Sequence, residues 1–266
     1  MEAVLKYGFL IIASIISVFP LYYMVVCSTN SSVDILSTRM IPGAYLLKNL
    51  KSLLENTDFL ICLKNSVRYA VVGTILSVIV CSLAGYAFEI YHDKAKDLVM
   101  SILLLSIMVP VAATLIPLFT LFGKMNLLST TLGVTLPFIS TAFLILLFRQ
   151  NSRAFPTELI DSARIDGLNE FQIFIQMYVP IMKPVFATAT IVSFMHIWND
   201  YLWSLIAMRT AESRSLALLL SAMSEAYTLD YGLLMLLATL TTLPLAVIFF
   251  FLQKYFTAGI TGSVKG

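Results

Sequence analysis

Few residues in this chain carry chemistry, and they fall mostly in two clusters. The first is the hydrophilic run Phe155-Pro-Thr-Glu-Leu-Ile-Asp-Ser-Ala-Arg-Ile-Asp-Gly167, which continues to Pro180. The second is His196, Trp198, Asn199, Asp200, Tyr201 and Trp203. A thinner candidate is the polar and proline content around Thr114 and Pro117. Acid–base or metal chemistry by a membrane enzyme would want His, Asp and Glu grouped together. The two histidines, His92 and His196, stand far apart. Cys27, Cys62 and Cys81 have no metal-ligand spacing and read as apolar fillers. No GxxxxGK[ST] loop occurs, so the chain carries no phosphate-binding site of that kind.

The rest of the chain must position these clusters, and its composition says in what medium. Of 266 residues, 59% are hydrophobic and 12% charged, with a mean hydropathy of +0.90. Soluble domains carry about 25% charged and about 45–50% apolar residues, so this chain is expected in a bilayer. Its net charge of +2 leaves no footprint for nucleic acid. A spanning helix needs about 20 mostly apolar residues. Six segments meet that need: 7–27, 69–88, 98–123, 132–148, 184–208 and 231–253. The first is longer than the apolar core of about 7–15 residues in a cleavable leader, so it reads as a retained span.

Prolines shape these spans by freeing backbone carbonyls. Pro20 is expected to bend the first, and Pro110 and Pro117 the third. Gly73 and Gly85 permit close helix approach in the second. Residues 28–68 read as an external loop with one or two short helical pieces. The turn 89–97 is short and charged, and the tail 254–266 is either flexible or an extra contact. The expected class is an all-α polytopic membrane protein, six spans in one domain over 1–266, with both termini on one side. Charge does not orient it. With the N-terminus inside, nine of the 17 Lys and Arg fall inside and eight outside.

The first cluster reads as helix, sharp turn, helix. Pro156 suits a first helical turn, and Glu158 and Asp161 then lie near the positive end of the helix dipole. Leu159, Ser162, Ala163 and Asp166 share a face, on which the two small residues admit a neighbour. Gly167 is placed to end the helix in a left-handed conformation. Asn169 and Gln172 fit a capping box for a second helix. That helix carries Phe171, Phe174 and Ile175 as an apolar stripe and stops at Val179-Pro180. Asp166 sits at the negative end of the first helix, unfavourable by roughly 0.3–1 kcal/mol. Such a violation marks either function or a simple cap around Gly167.

The second cluster places Asp200 within the fifth span, at a cost of about 2.5–3.5 kcal/mol on insertion scales. Two readings stand: Asn199 and Asp200 face a water-filled cavity, or they cap neighbouring backbone. Trp198 and Trp203 either stack on sugar faces or pack at the interface. Thr114 and Pro117 either line a pathway or only shape packing.

The hydrophilic run resembles a known signature. Inner-membrane permeases of bacterial ABC importers share Glu-Ala-Ala, three residues, Gly, nine residues, Ile, one residue, Leu-Pro. Here the spacing lands on Asp161-Ser162-Ala163, Gly167, Met177, Val179 and Pro180, with charge or size kept where the type differs. The carbohydrate permeases similar to the maltose permease share more of the chain. Asn65-Ser66, Ala84-Gly-Tyr-Ala-Phe88, Ile116-Pro-Leu-Phe119 and Ala163-Arg-Ile-Asp-Gly167 are similar to that subfamily. So are Trp198-Asn-Asp-Tyr-Leu-Trp203, Tyr231-Gly-Leu-Leu-Met235 and Val264-Lys-Gly266. The subfamily usually has Glu where this chain has Asp200.

The resemblance implies a cytoplasmic coupling helix within 155–180, between spans four and five. It would dock on an ATP-binding subunit through Glu158, Asp161, Ser162, Ala163, Asp166 and Gly167. It places both termini in the cytoplasm of a bacterial cell and residues 28–68 outside. It implies a second permease subunit, an ATP-binding dimer that holds ATP and Mg, and an extracytoplasmic solute-binding protein. It leaves Asn199, Asp200, Trp203, Thr114 and Pro117 as pathway or gating candidates for a sugar or oligosaccharide. The competing classes are an ion-driven secondary transporter, which would show repeats and several buried carboxylates, and an integral-membrane enzyme.

Overall fold

Lipid offers backbone groups no hydrogen-bond partners, so long apolar runs satisfy themselves as helices. The computed structural model describes residues 2–227 and 229–262, with side chains for 5–227 and 229–253, and every regular element among them is helical. In chain order these are α1 (Glu2–Ser28), α2 (Ser32–Leu36), α3 (Leu46–Asn56), α4 (Phe59–Ile90), α5 (Lys94–Ser106), α6 (Val111–Lys124) and α7 (Thr131–Ile139). They continue with α8 (Ala142–Ser152), α9 (Thr157–Ile165), α10 (Glu170–Ile181), α11 (Lys183–Trp198), α12 (Leu202–Ala207), α13 (Leu216–Ser224) and α14 (Tyr231–Gly262). The side chains of the tail 254–266, and the whole of 264–266 with its family resemblance, lie outside the described residues.

Among the described residues, three stretches are long and apolar enough to cross a membrane as single helices: Leu5–Ser28, Phe59–Ile90 and Tyr231–Gln253. Three further pairs qualify only together, each bent at a break: α5 with α6 by 103°, α7 with α8 by 44°, and α10 with α11 by 85°. Helix α1 continues through Pro20. Helix α4 begins at Phe59, ten residues before the span expected at 69, so the loop 28–68 is shorter than its polarity implied. Arg68 keeps a partner inside the helix, donating to Asn65 Oδ1 at 3.2 Å and lying 5.2 Å from the Tyr69 ring centroid. Two short helices, α2 and α3, occupy the loop as expected.

The third expected span breaks at 107–110, where Pro110 adopts an extended conformation before α6. The fourth, expected unbroken, bends between Ile139 and Ala142. Pro137 accounts for part of this. It has no N–H for the Gly133 carbonyl four residues earlier, and the Trp203 indole donates to that carbonyl instead at 3.0 Å. The fifth expected span stops at Trp198 and restarts at Leu202.

The chain forms two compact units: Met1–Leu63 with Ser215–Ala246, and Lys64–Arg214 with Val247–Gly266. The first is stitched by a buried amide and by polar bonds between segments far apart in the chain. Asn49 Nδ2 donates to the carbonyls of Ser28 and Asn30, both at 3.0 Å. Ser32 Oγ donates to Asp230 Oδ1 at 2.9 Å and accepts from the Tyr231 N–H at 3.0 Å. The second unit holds both polar clusters around a core of Tyr86, Phe148, Ile160, Ile173 and Tyr178. Gly85 lets α4 meet α8 directly: a Cβ there would stand 2.4 Å from Phe148 Cβ and 2.8 Å from the Arg149 nitrogen.

Candidate functional site

The first cluster folds into an elbow whose geometry is local. Helix α9 starts after Pro156, which stands one place earlier than expected, at the cap, and Glu158 lies in the first turn. Gly167 ends it at φ +82°. The Gly167 N–H reaches the Arg164 carbonyl at 3.1 Å and the Leu168 N–H reaches Ala163 at 3.0 Å, the paired bonds of a Schellman turn. Asn169 and Gln172 cap α10 reciprocally, both bonds at 2.9 Å. Val179-Pro180 does not stop α10, as the sequence implied it would. A π-helical stretch, Phe174–Tyr178, widens the turn so that the Val179 N–H bonds Phe174, and the helix runs on to Ile181. Such a bulge accommodates the donor that Pro180 lacks.

Two faces of the elbow differ sharply. Ile160, Ala163, Ile173, Phe174 and Tyr178 are buried in the core, where Tyr178 Oη and Ser152 Oγ share a hydrogen bond of 2.6 Å. Glu158, Asp161, Ser162, Asp166 and Gly167 are exposed. Ser162 and Ala163, expected together on one open face, are separated. Ala163 is 2% exposed against the core, while Ser162 points out and returns its hydroxyl to the Glu158 carbonyl at 2.8 Å. The apolar stripe divides likewise, with Phe174 inward and Phe171 and Ile175 outward. The elbow leaves two large apolar side chains open, Ile165 at 86% and Phe171 at 66% exposure.

A polar chain crosses the elbow. Arg164 pairs with Asp161 at 3.3 Å and with Glu170 at 2.8 Å. Glu170 also accepts from the Tyr91 hydroxyl. Arg164 and Tyr91 hold the Glu170 carboxyl below the usual carboxylate range. Burial and the bond to Glu170 push the Tyr91 hydroxyl up. A second group sits close by in sequence. Arg149, 8% exposed, reaches Glu89 Oε2 at 3.2 Å and also bonds Asp97. Arg153 lies 3.6 Å from Glu89 and His92 lies 3.4 Å from Asp97. Neither Tyr91 nor Arg149 stood out in the sequence. Their partners lie 52 to 79 residues away, and the only signal was a charged turn opposite a basic helix end.

The second cluster frames an open cavity of about 960 Å³ in the same unit. Thr114, Asn199, Asp200 and Trp203 contribute to its walls; Pro117, on the same helix as Thr114, does not. Asn199 and Asp200 occupy the break between α11 and α12. Asp200 also caps backbone: one carboxylate oxygen accepts from both the N–H and the hydroxyl of Ser204, each at 2.8 Å. Trp203 is 3% exposed, fixed by Gly133 and by an edge contact with Phe122 at 5.2 Å. Trp198 is buried and stacks on Phe194 at 5.4 Å. His196 meets Phe138 edge-on at 5.2 Å, and both rings wall the cavity. Both tryptophans are thus packed, and Asp200 lines the cavity while it caps backbone. Among the described residues no cluster of His, Cys, Asp or Glu has metal-binding geometry, and the three cysteines are buried thiols.

Residues 77–262 match the family model described as "Binding-protein-dependent transport system inner membrane component". The chain belongs to that family. Among relatives of this permease, the lactose transport system permease protein LacG of Rhizobium radiobacter is 42% identical over 98% of this chain and 96% of its own. The arabinooligosaccharides transport system permease protein AraQ of Bacillus subtilis (strain 168) is 36% identical over 76% of this chain and 72% of its own. The sn-glycerol-3-phosphate transport system permease protein UgpE of Pectobacterium atrosepticum is 28% identical over 96% and 95%. In fold, the permease matches a chain of a bacterial ABC transporter involved in the import of the acidic polysaccharide alginate. The TM-score is 0.85, at 21% identity, over 96% of each chain.

Proposed function

We propose that this permease is one of two membrane subunits of a sugar or oligosaccharide importer and that its elbow is the coupling helix. The carrying observation is the elbow itself. Its inner face is locked into the core, while its outer face presents the apolar side chains of Ile165 and Phe171 amid Glu158, Asp161, Ser162 and Asp166. An exposed large apolar side chain flanked by charges suits a partner's groove, and the partner proposed is an ATP-binding subunit that holds ATP and Mg. Ala163 then acts from beneath, letting α9 sit close to the core. Gly167 supplies the turn, and Asp166 remains an outward carboxylate without an ion pair among the described residues.

The rest of the proposal follows the family. The chain acts as one permease domain over 1–266, with the elbow at 155–180 cytoplasmic, both termini cytoplasmic, and a bacterial cell membrane as its location. A second permease closes the pathway, and an extracytoplasmic solute-binding protein delivers the substrate. Thr114, Asn199, Asp200 and Trp203 contribute this chain's wall of the pathway, with Pro117 shaping α6. The names of LacG and AraQ support sugar or oligosaccharide as cargo. Uptake of labelled lactose, arabinooligosaccharides and glycerol 3-phosphate by cells with and without the gene tests the cargo. Loss of sugar uptake on deletion, restored by the gene, is expected; loss of glycerol phosphate uptake alone would contradict it.

A further inference from the structure

The turn between α4 and α5 is tied to everything around it. Arg149 joins Glu89, at the end of α4, to Asp97, in the first turn of α5. The Lys96 ammonium donates to the Tyr91 carbonyl and to Asp93, and the Asp93 carboxylate caps α5 at the Lys96 N–H, 2.8 Å away. The turn is therefore a closed, stiff unit. A polar link joins it to the elbow: the Tyr91 hydroxyl donates to Glu170, whose other oxygen takes Arg164, which in turn holds Asp161. The aromatic rings beneath run the same way, Tyr91 against Tyr86 at 6.1 Å and Tyr86 against Phe174 at 5.3 Å.

We infer that Tyr91, Glu170 and Arg164 form a clamp that carries displacement of the elbow into α4 and α5. The inference rests on the docking reading of the elbow and adds a route to it. Force applied at α9 and α10 reaches the helices through this link as well as through the continuous chain into α8 and α11. Glu170 spends both carboxylate oxygens on this chain's own residues, Tyr91 and Arg164. Its role is thus positioning, not contact with the partner. A carboxylate holding both a guanidinium and a phenol is strong for its exposure, because charge-assisted bonds exceed neutral ones about twofold.

The test uses the complete transporter, with both permeases, the ATP-binding subunits and the binding protein, in proteoliposomes. Substrate imported per ATP hydrolysed is measured for the parent, Tyr91→Phe, Glu170→Gln and the double variant. Each single variant is expected to keep its ATP-binding subunits and to import about tenfold less per ATP, the size of one hydrogen bond to a charged group. The double variant is expected to match the worse single one, since both break one link. An unchanged ratio in both single variants overturns the clamp, and so do losses that multiply in the double variant. Loss of the ATP-binding subunits from a single variant also overturns it, because Tyr91 or Glu170 would then be shaping the docking surface. The docking reading fails separately, if the parent permease itself brings down no ATP-binding subunit.

Discussion

The elbow at 157–181 and the break at 199–207 are both polar interruptions among apolar helices, yet they use polarity in opposite ways. In the elbow, backbone bonds at the Gly167 turn close α9 and the amide side chains of Asn169 and Gln172 cap α10, so no acid is needed for either end. Its acidic side chains are left to face outward or to bond other elements. At the break, the acid itself closes the backbone: Asp200 accepts from the Ser204 N–H at the start of α12, and Trp203 satisfies the carbonyl orphaned by Pro137. A polar residue in an apolar chain thus needs its local backbone examined before it is read as a contact. Where the backbone is already satisfied, the side chain is available to a partner.

The strongest challenge to this contrast is Gly167→Pro. Proline fixes φ near about −65° and removes the N–H that bonds Arg164, a conflict worth about 3 kcal/mol or more; the native φ is +82°. Uptake is expected to vanish while membrane insertion persists, and uptake at the parent rate would deny the elbow its role. Next comes Trp203→Phe, which keeps an aromatic side chain but a smaller one and strips the donor from the Gly133 carbonyl. An unsatisfied buried acceptor costs about 1–3 kcal/mol. Thermal unfolding of the purified protein should shift down accordingly, and an unshifted transition would mean that the bond is dispensable.

Asp200 sharpens the contrast further. Asn caps as well as Asp does, whereas Ala loses about 0.5–2 kcal/mol. If capping dominates, Asp200→Asn should keep the stability and, within about twofold, the uptake of the parent, and Asp200→Ala should lose stability. A stable Asp200→Asn variant with no uptake would move Asp200 from cap to cavity charge. The smallest effect concerns pH. The folded Glu170 carboxyl is held below its unfolded value, so its link is in place above the unfolded range and is lost as pH falls through the lowered value. Import per ATP should therefore be insensitive to this group between about pH 6 and pH 8. A fall across that window that Glu170→Gln removes would show that the link fails too early.

The elbow was largely legible in the sequence because its rules act over a few residues. The left-handed Gly167 and the reciprocal Asn169–Gln172 cap both stand as read. Its face was not legible. Helical spacing puts Ser162 and Ala163 side by side, but the core, assembled from α4, α8 and α10, decides that Ala163 goes in and Ile165 comes out. The same limit explains the missed ties of Tyr91 and Arg149, whose partners lie far along the chain. The breaks in the third and fifth spans had visible causes in Pro110 and in Asn199-Asp200. The bend in the fourth, between Ile139 and Ala142, owes only part of its cause to Pro137, a proline inside an otherwise ordinary apolar run.

The central claim is that the exposed face of the elbow seats an ATP-binding subunit. Ile165→Arg leaves the core, the caps and the polar chain in place and changes only the most exposed apolar residue of α9. Purified in parallel with the parent from membranes that also contain the ATP-binding subunit, the variant should reach the same membrane level and bring down little or none of that subunit. Recovery of that subunit in parental amounts by Ile165→Arg would contradict the account.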